Sequence, residues 1–194
     1  MNFFTNLQEK RKKIIITLVF SIIFAAGACI FKDYNIYGDE PFHYWASSLY
    51  YNFIKTFLTT FNFQNNFFYE INENINNEGY KVWFVYPIFF DLFSEILINI
   101  FNIKDENIFY FRHFLTFLFF YISLVYFYLI IEKRFKNYFL SLLSVSILFL
   151  TPCIFANSFY NNKDIVFLCF SIISIYYAVN FLNKQTLQNL ILFS

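Results

Sequence analysis

The stretch "IIITLVFSIIFAAGACIF", residues 14–31, contains eighteen consecutive residues without a charge. At 1.5 Å of rise per residue, a helix of this length covers about 27 Å, which is close to the thickness of the hydrocarbon core of a bilayer. In the whole chain of 194 residues, 59% are hydrophobic and 14% are charged. Average soluble proteins have about 25% charged residues. The sequence therefore predicts a membrane protein whose first helix spans the bilayer.

Further apolar runs of spanning length follow at residues 114–131, 138–160 and 165–182, and Pro152 lies near the far end of the run 138–160. Another apolar run begins at residues 187–194, but this length reaches only about 12 Å. We therefore expect an all-α membrane protein, a polytopic helix bundle with four complete spans. We also expect the chain to be truncated, because the fifth span is incomplete.

Basic residues indicate the orientation of the spans. They concentrate in residues 1–13 (Lys10, Arg11, Lys12 and Lys13), in the short connection 132–137, and at Lys184 after the fourth span. If the spans alternate, these places lie on one side, and an excess of Lys and Arg marks the cytoplasmic side. This predicts a cytoplasmic N-terminus, an uncleaved first span, and outward loops at residues 32–113 and 161–164.

The long outward loop contains two amphipathic patterns. In residues 88–103, polar side chains recur at intervals of three and four residues, at Asp91, Ser94, Glu95, Asn99 and Asn102. In residues 41–61 a polar or aromatic side chain recurs every four residues from His43 to Thr59. These patterns predict two amphipathic helices that lie along the membrane surface. The Asn-rich stretch between them, residues 63–80, is predicted to be a surface loop.

Charge and cysteine content exclude some classes of function. The formal net charge is +1 and the basic residues lie in short stretches, so nucleic acid is not an expected partner. Cys29, Cys153 and Cys169 lie in or beside apolar segments and form neither a Cys-x-x-Cys pair nor a ligand spacing with histidine. We interpret them as small apolar side chains and predict no metal site from them.

Two outward turns carry acidic residues. "GDEPFH", residues 38–43, contains Asp39 and Glu40, and "NSFYNNKD", residues 157–164, contains Lys163 and Asp164. Since both turns are predicted to face one compartment, these four side chains are able to converge at a cavity at the level of the membrane. They form the candidate site.

Each of these residues also has a structural interpretation. Asp39 is a suitable N-cap for a helix beginning at Glu40, and Asp164 is suitable for capping the fourth span. Lys163 is able to snorkel towards the headgroups, and Arg112 and His113 are able to act as interfacial anchors. His43 fits a histidine that is satisfied within a packed helix. No single residue distinguishes the two interpretations.

Four segments taken in order resemble a known family: "GDEPFHYW" (38–45), "YPIFFDLFSEIL" (86–97), "FRH" (111–113) and "TPCIFANSFYNNKDIVF" (151–167). They resemble the N-terminal part of the GT-C membrane glycosyltransferases, and most closely glycosyltransferase family 39, the clan of protein O-mannosyltransferases and lipid A aminoarabinose transferases. Two positions depart from that pattern, because Cys153 stands where bacterial relatives often have Arg and Asn162 stands where they often have Pro. Members of the family also usually have many more spans.

The resemblance implies transfer of a sugar from a polyprenyl-phosphate donor to a protein, lipid or glycan acceptor at the outward face of a bacterial inner membrane. It makes Asp39 the expected catalytic base, Glu40 its orienting partner and Asp164 a second acid near the donor. Lys163, Arg112, His43 and His113 are the expected partners of the donor phosphate. Two adjacent carboxylates are able to hold a divalent cation, but Asp39 and Glu40 alone are too few ligands to predict one.

Two alternatives stay open at this point. An inactive fragment, or a small non-catalytic membrane protein that needs a partner to complete its bundle, would have the same apolar runs. A transporter or lipid flippase would use the same acids as an ion or headgroup relay. The interiors of the predicted spans contain no Asp or Glu, which disfavours the transporter.

Overall fold

The structure is a computed structural model that describes residues 2–60, 88–183 and 185–193. Its elements are α1 (Asn2–Ile30), α2 (Glu40–Thr60), α3 (Phe89–Phe101), a 3₁₀ turn (Asp105–Asn107), α4 (Ile108–Phe135), α5 (Tyr138–Leu150), α6 (Pro152–Tyr160), α7 (Asn162–Asn183) and α8 (Leu187–Phe193). These three ranges contain no β-strand, so the prediction of an all-α protein is confirmed. The Asn-rich loop predicted at residues 63–80 lies outside the ranges that the structure describes.

Three helical segments are long and apolar enough to cross a membrane: Gln8–Ile30, Asp105–Phe135 and Asn162–Asn183. A fourth crossing is formed if α5 and α6 are counted as one bent span. The chain divides into two compact units, one made of Met1–Tyr34 with His113–Ser194 and the other of Asn35–Arg112. The first unit contains the bundle core, and the second contains α2 and α3.

The apolar run 138–160 forms two helices that meet at an angle of 67°. The break lies at Thr151, whose backbone is extended, and Pro152 then occupies the first turn of α6. Proline has no N–H to donate and disfavours a helical conformation of the residue before it, so α5 ends there. The Thr151 hydroxyl donates to the carbonyl of Ile147 at 2.8 Å and so satisfies one terminal acceptor of α5.

Two polar contacts tie one end of the first unit together. Lys12 of α1 donates to Glu132 of α4 with Nζ and Oε1 2.6 Å apart, and Lys133 of α4 donates to Asn180 of α7. The basic residues before the first span and those at the end of α4 therefore lie at the same end of this unit. Asn180, near the end of α7, lies at this end of the unit as well, whereas Lys184 is outside the described residues.

Aromatic side chains close the opposite end of the first unit. Tyr34, which follows α1, stacks on Phe159 of α6 with ring centroids 4.6 Å apart, and Phe159 stacks in turn on Phe117 of α4 at 5.3 Å. Phe117 and Phe159 are fully buried. The exit of α1, the first half of α4 and the end of α6 thus share one packed cluster.

Gly27 allows α1 and α4 to approach closely. A Cβ atom added at Gly27 would lie 2.0 Å from Cζ of Phe117, which is far inside van der Waals contact. Small residues at helix interfaces permit such close approach in membranes, where packing is a main source of helix association. The glycine is therefore required by packing.

We predict that Gly27→Ala destabilises the protein by about 1–3 kcal/mol, because the new methyl group displaces the buried Phe117 ring. The measurement is unfolding in mixed micelles. Gly38→Ala is the matched control, since a Cβ at Gly38 meets nothing within 4 Å. Equal stability of the two variants would show that α1 and α4 do not approach as described.

Candidate functional site

A buried network centred on Asp91 connects three helices of the second unit. Asp91 Oδ1 accepts a hydrogen bond from Nη2 of Arg112 at 2.5 Å, and its Oδ2 lies 3.0 Å from Nδ1 of His43. Arg112 also donates from Nη1 to the Ser94 hydroxyl at 2.6 Å, and its guanidinium lies over the Phe90 ring. The Asp91 carboxylate of α3 is therefore bonded both to α2 and to the beginning of α4.

The network is buried, since Asp91 is 6% exposed and Arg112 is 2% exposed. A charge removed from water is costly unless it is paired and hydrogen-bonded, and breaking such a pair leaves an uncompensated charge. The spacing of the sequence produces this arrangement, because positions 91, 94 and 95 share one face of α3 and positions 43 and 47 share one face of α2. These two faces meet.

A second carboxylate, Glu95, lies one turn further along α3. Its Oε2 accepts from Ser47 at 3.4 Å and its Oε1 from Ser48 at 3.3 Å, and the Asn99 amide donates to Oε1 at 3.2 Å. These partners are neutral, and the distances to the two hydroxyls are long for hydrogen bonds between oxygens. Burial, with the Glu95 carboxylate nearby, raises the pKa of Tyr44.

The acidic pair begins α2. The Asp39 carbonyl accepts from the backbone N–H groups of Phe42 and His43, both at 3.1 Å. The Glu40 carboxylate is buried and accepts from the backbone N–H of Tyr37 at 2.8 Å. The main chain of Asp39 and the side chain of Glu40 therefore order the start of the helix, and Asp39 stays half-buried.

In the first unit, the side chain of Asn161 caps the start of α7. Its oxygen accepts from the backbone N–H of Asp164 at 3.2 Å, and its amide donates to Asp164 Oδ2 at 2.8 Å. The first bond is that of an N-cap side chain, and the second holds the Asp164 carboxylate against the cap. The exposed Asp164 thus has a structural role, beside a half-buried Lys163. His113 is fully buried in α4.

The structure brings Arg112 and His43 together on Asp91, and it brings Lys163 and Asp164 together at the start of α7. From the sequence, Asp91, Ser94 and Glu95 are predicted only as the polar stripe of a surface helix, and their contacts with α2 and α4 are not predicted. The available signal was two carboxylates and a serine at i, i+3 and i+4 in a helix otherwise rich in Phe, Ile and Leu. Among the residues that the structure describes, no group of three or more His, Cys, Asp or Glu side chains is placed to hold a metal ion.

Comparison with known proteins gives one match. The family model of the dolichyl-phosphate-mannose-protein mannosyltransferases matches residues 85–194, which is more than half of the chain. The chain belongs to this family. The sequence-based assignment to the GT-C membrane glycosyltransferases is therefore confirmed. Within this mannosyltransferase family match lie Arg112, His113, Lys163 and Asp164, whereas Asp39, Glu40 and His43 precede it.

No curated protein and no solved structure matches the chain.

We predict that Asp91→Ala lowers the free energy of unfolding by about 3–5 kcal/mol, because Arg112 is left buried without its carboxylate partner. Unfolding of the purified protein in mixed micelles measures this loss. Asp105→Ala is the matched control, since Asp105 is an exposed acid in the same unit. If Asp91→Ala unfolds like the control, the buried pair does not exist in the folded protein.

Proposed function

We propose that this protein is a membrane glycosyltransferase that transfers a sugar from a polyprenyl-phosphate donor to an acceptor on the outward face of the membrane. The observation that carries the proposal is the family match over residues 85–194. Helices of spanning length supply the apolar surroundings that a lipid-linked donor requires. The acceptor is a hydroxyl-bearing or amino-bearing group on a protein, lipid or glycan.

The proposed reaction displaces the lipid phosphate from the anomeric carbon of the sugar. The acceptor must lose a proton as its bond to that carbon forms, and a carboxylate is suited to take it. We assign this role to Asp39, which is half-buried at the start of α2. Glu40 is assigned to orientation of the acid pair, since its carboxylate is already held by the Tyr37 N–H. Asp164 is assigned as a second acid near the donor.

Cationic and hydrogen-bonding side chains are proposed to stabilise the leaving phosphate. Lys163 and Arg112 supply the charges, and His43 and His113 supply further donors. Two of the five N–H donors of Arg112 bind Asp91 and Ser94. Arg112 is buried, whereas Lys163 is half-buried and closer to solvent.

We propose a bacterial inner membrane as the location, with the N-terminus in the cytoplasm. The ion pair between Lys12 and Glu132 supports a common side for the basic residues of the N-terminus and of the end of α4. Those residues then mark the cytoplasmic side. In the sequence, Asp39 follows the C-terminal end of α1 and Asp164 follows the C-terminal end of α6. These ends are opposite the one that carries the basic residues, which supports the outward side for both acids.

We expect Asp39→Asn to lower the rate of sugar transfer by about 100- to 10,000-fold, because the amide cannot take the acceptor's proton. The measurement is consumption of a radiolabelled polyprenyl-phosphate mannose by membranes that contain the protein, with recovery of label in the acceptor fraction. Asp33→Asn is the matched control, since Asp33 is an exposed acid six residues earlier.

An active Asp39→Asn variant would remove Asp39 from the mechanism. Membranes with the parent protein that consume no more donor than membranes without it would contradict the proposed function itself. The control variant distinguishes loss of the base from a general loss of folded protein, because it removes a carboxylate from the same segment.

A further inference from the structure

Helix α3 buries two carboxylates and exposes several large apolar side chains. Its buried face carries Asp91, Ser94 and Glu95 together with Phe90 and Ile98. Ile96, Ile100 and Phe101 have exposed fractions of 37%, 64% and 62%, and the polar Asn99 is exposed as well. Two buried carboxylates beside three exposed large apolar side chains are unlike an amphipathic helix that turns its polar face to water.

The energetic consequence of this arrangement in water is the opposite of its consequence in hydrocarbon. In water, the three large apolar side chains would stay hydrated while carboxylates were removed from solvent, and both effects oppose folding. In hydrocarbon, exposed apolar side chains have no such cost, and polar groups must be satisfied inside the protein. The buried bonds of Asp91 to Arg112 and of Glu95 to its serines provide that satisfaction.

The position of α3 along the chain places it near the membrane. Only Asn102–Asn107 separate it from α4, so its last residue lies within about 25 Å of the first residue of α4. The membrane-spanning segment already begins at Asp105. The bond between Asp91 and Arg112 further fixes α3 beside the second turn of α4.

α3 cannot cross the bilayer itself. Its thirteen residues cover about 20 Å, which is shorter than the hydrocarbon core of about 30 Å. It ends in a close turn, where Asn102 takes a left-handed backbone conformation (φ 49°) and the N–H of Ile103 bonds to the carbonyl of Ile98. The helix is therefore short, has a defined end and stays on one side.

We infer that the face of α3 formed by Ile96, Ile100 and Phe101 contacts the acyl chains of the outward leaflet. The Asp91–Arg112 pair is then buried within the protein, away from the lipid. Lipid fits this face better than a protein partner does, because only residues 102–107 connect α3 to the helix whose membrane-spanning segment begins at Asp105, and the three side chains carry no charge to select a partner. The exposed polar residues Lys104, Asp105 and Glu106 follow at the end of α3, where the chain reaches the headgroups.

The test is fluorescence quenching in liposomes with the full chain. Ile100→Trp and Phe101→Trp are made separately in a background in which Trp45 and Trp83 are replaced by Phe, and each is compared with two references. Ile122→Trp, on the exposed side of α4, reports acyl chains, and Glu106→Trp reports water. Lipids brominated in their acyl chains quench from the hydrocarbon, and iodide quenches from the aqueous phase.

We expect the tryptophans at positions 100 and 101 to be quenched by brominated lipid at least half as strongly as the one at position 122, and less by iodide than the one at position 106. Quenching by iodide alone would place the face in water and overturn the inference. Quenching by neither agent would show that protein covers the face, either residues 61–87 or another copy, and would overturn it as well.

A second measurement needs no substitution. The unmodified protein is photolabelled in liposomes with a phospholipid that carries a diazirine in its acyl chain, and the labelled peptides are mapped. Label on residues 96–101 with none on residues 104–107 supports the inference, and the absence of label on residues 96–101 contradicts it. This result stands even if the tryptophan background folds poorly.

Discussion

A charge inside or beside hydrocarbon must be paired, and this constraint explains where the charged residues of the protein lie. Asp91 and Arg112 are buried and bonded to each other at 2.5 Å, and Lys12 and Glu132 are bonded at 2.6 Å where α1 and α4 come together. An isolated charge in the buried Asp91–Arg112 pair would cost several kcal/mol, whereas the Lys12–Glu132 pair is partly exposed and contributes less. The pairs therefore fix which helices are neighbours: α3 against α4 in one unit, and α1 against α4 in the other.

The same constraint connects the fold to the proposed chemistry. Each acidic turn has structural bonds that would be sufficient reason for its sequence, since Glu40 holds the Tyr37 N–H and Asp164 accepts from the side-chain amide of Asn161. These bonds also hold the carboxylates in place, as a catalytic constellation requires. Structural and catalytic roles are therefore compatible at these positions.

The spanning helices could be predicted from the sequence because length and apolar composition alone determine whether a segment can cross a bilayer. The break at Thr151 had a local signal in Pro152, but its angle of 67° depends on how α6 packs through Phe159. The burial of Asp91 was not predicted, because its partners His43 and Arg112 are 48 and 21 residues away in the chain. A period of three to four residues shows that a helix has a polar face, but not what that face contacts.

We propose that both acidic turns, residues 38–43 and 157–164, face one compartment, opposite the basic end of α4. Labelling of single cysteines from one side of the membrane tests this proposal. Cys29 and Cys153 are first replaced by Ser, while Cys169 is buried. Gly38→Cys, Asp164→Cys and Arg134→Cys are then exposed, in intact cells, to a maleimide that cannot cross the membrane; Gly38 lies in the first acidic turn and is exposed. We expect labelling at positions 38 and 164 from outside and at position 134 only after permeabilisation. Labelling at 38 and 164 from opposite sides of the membrane would contradict the proposal.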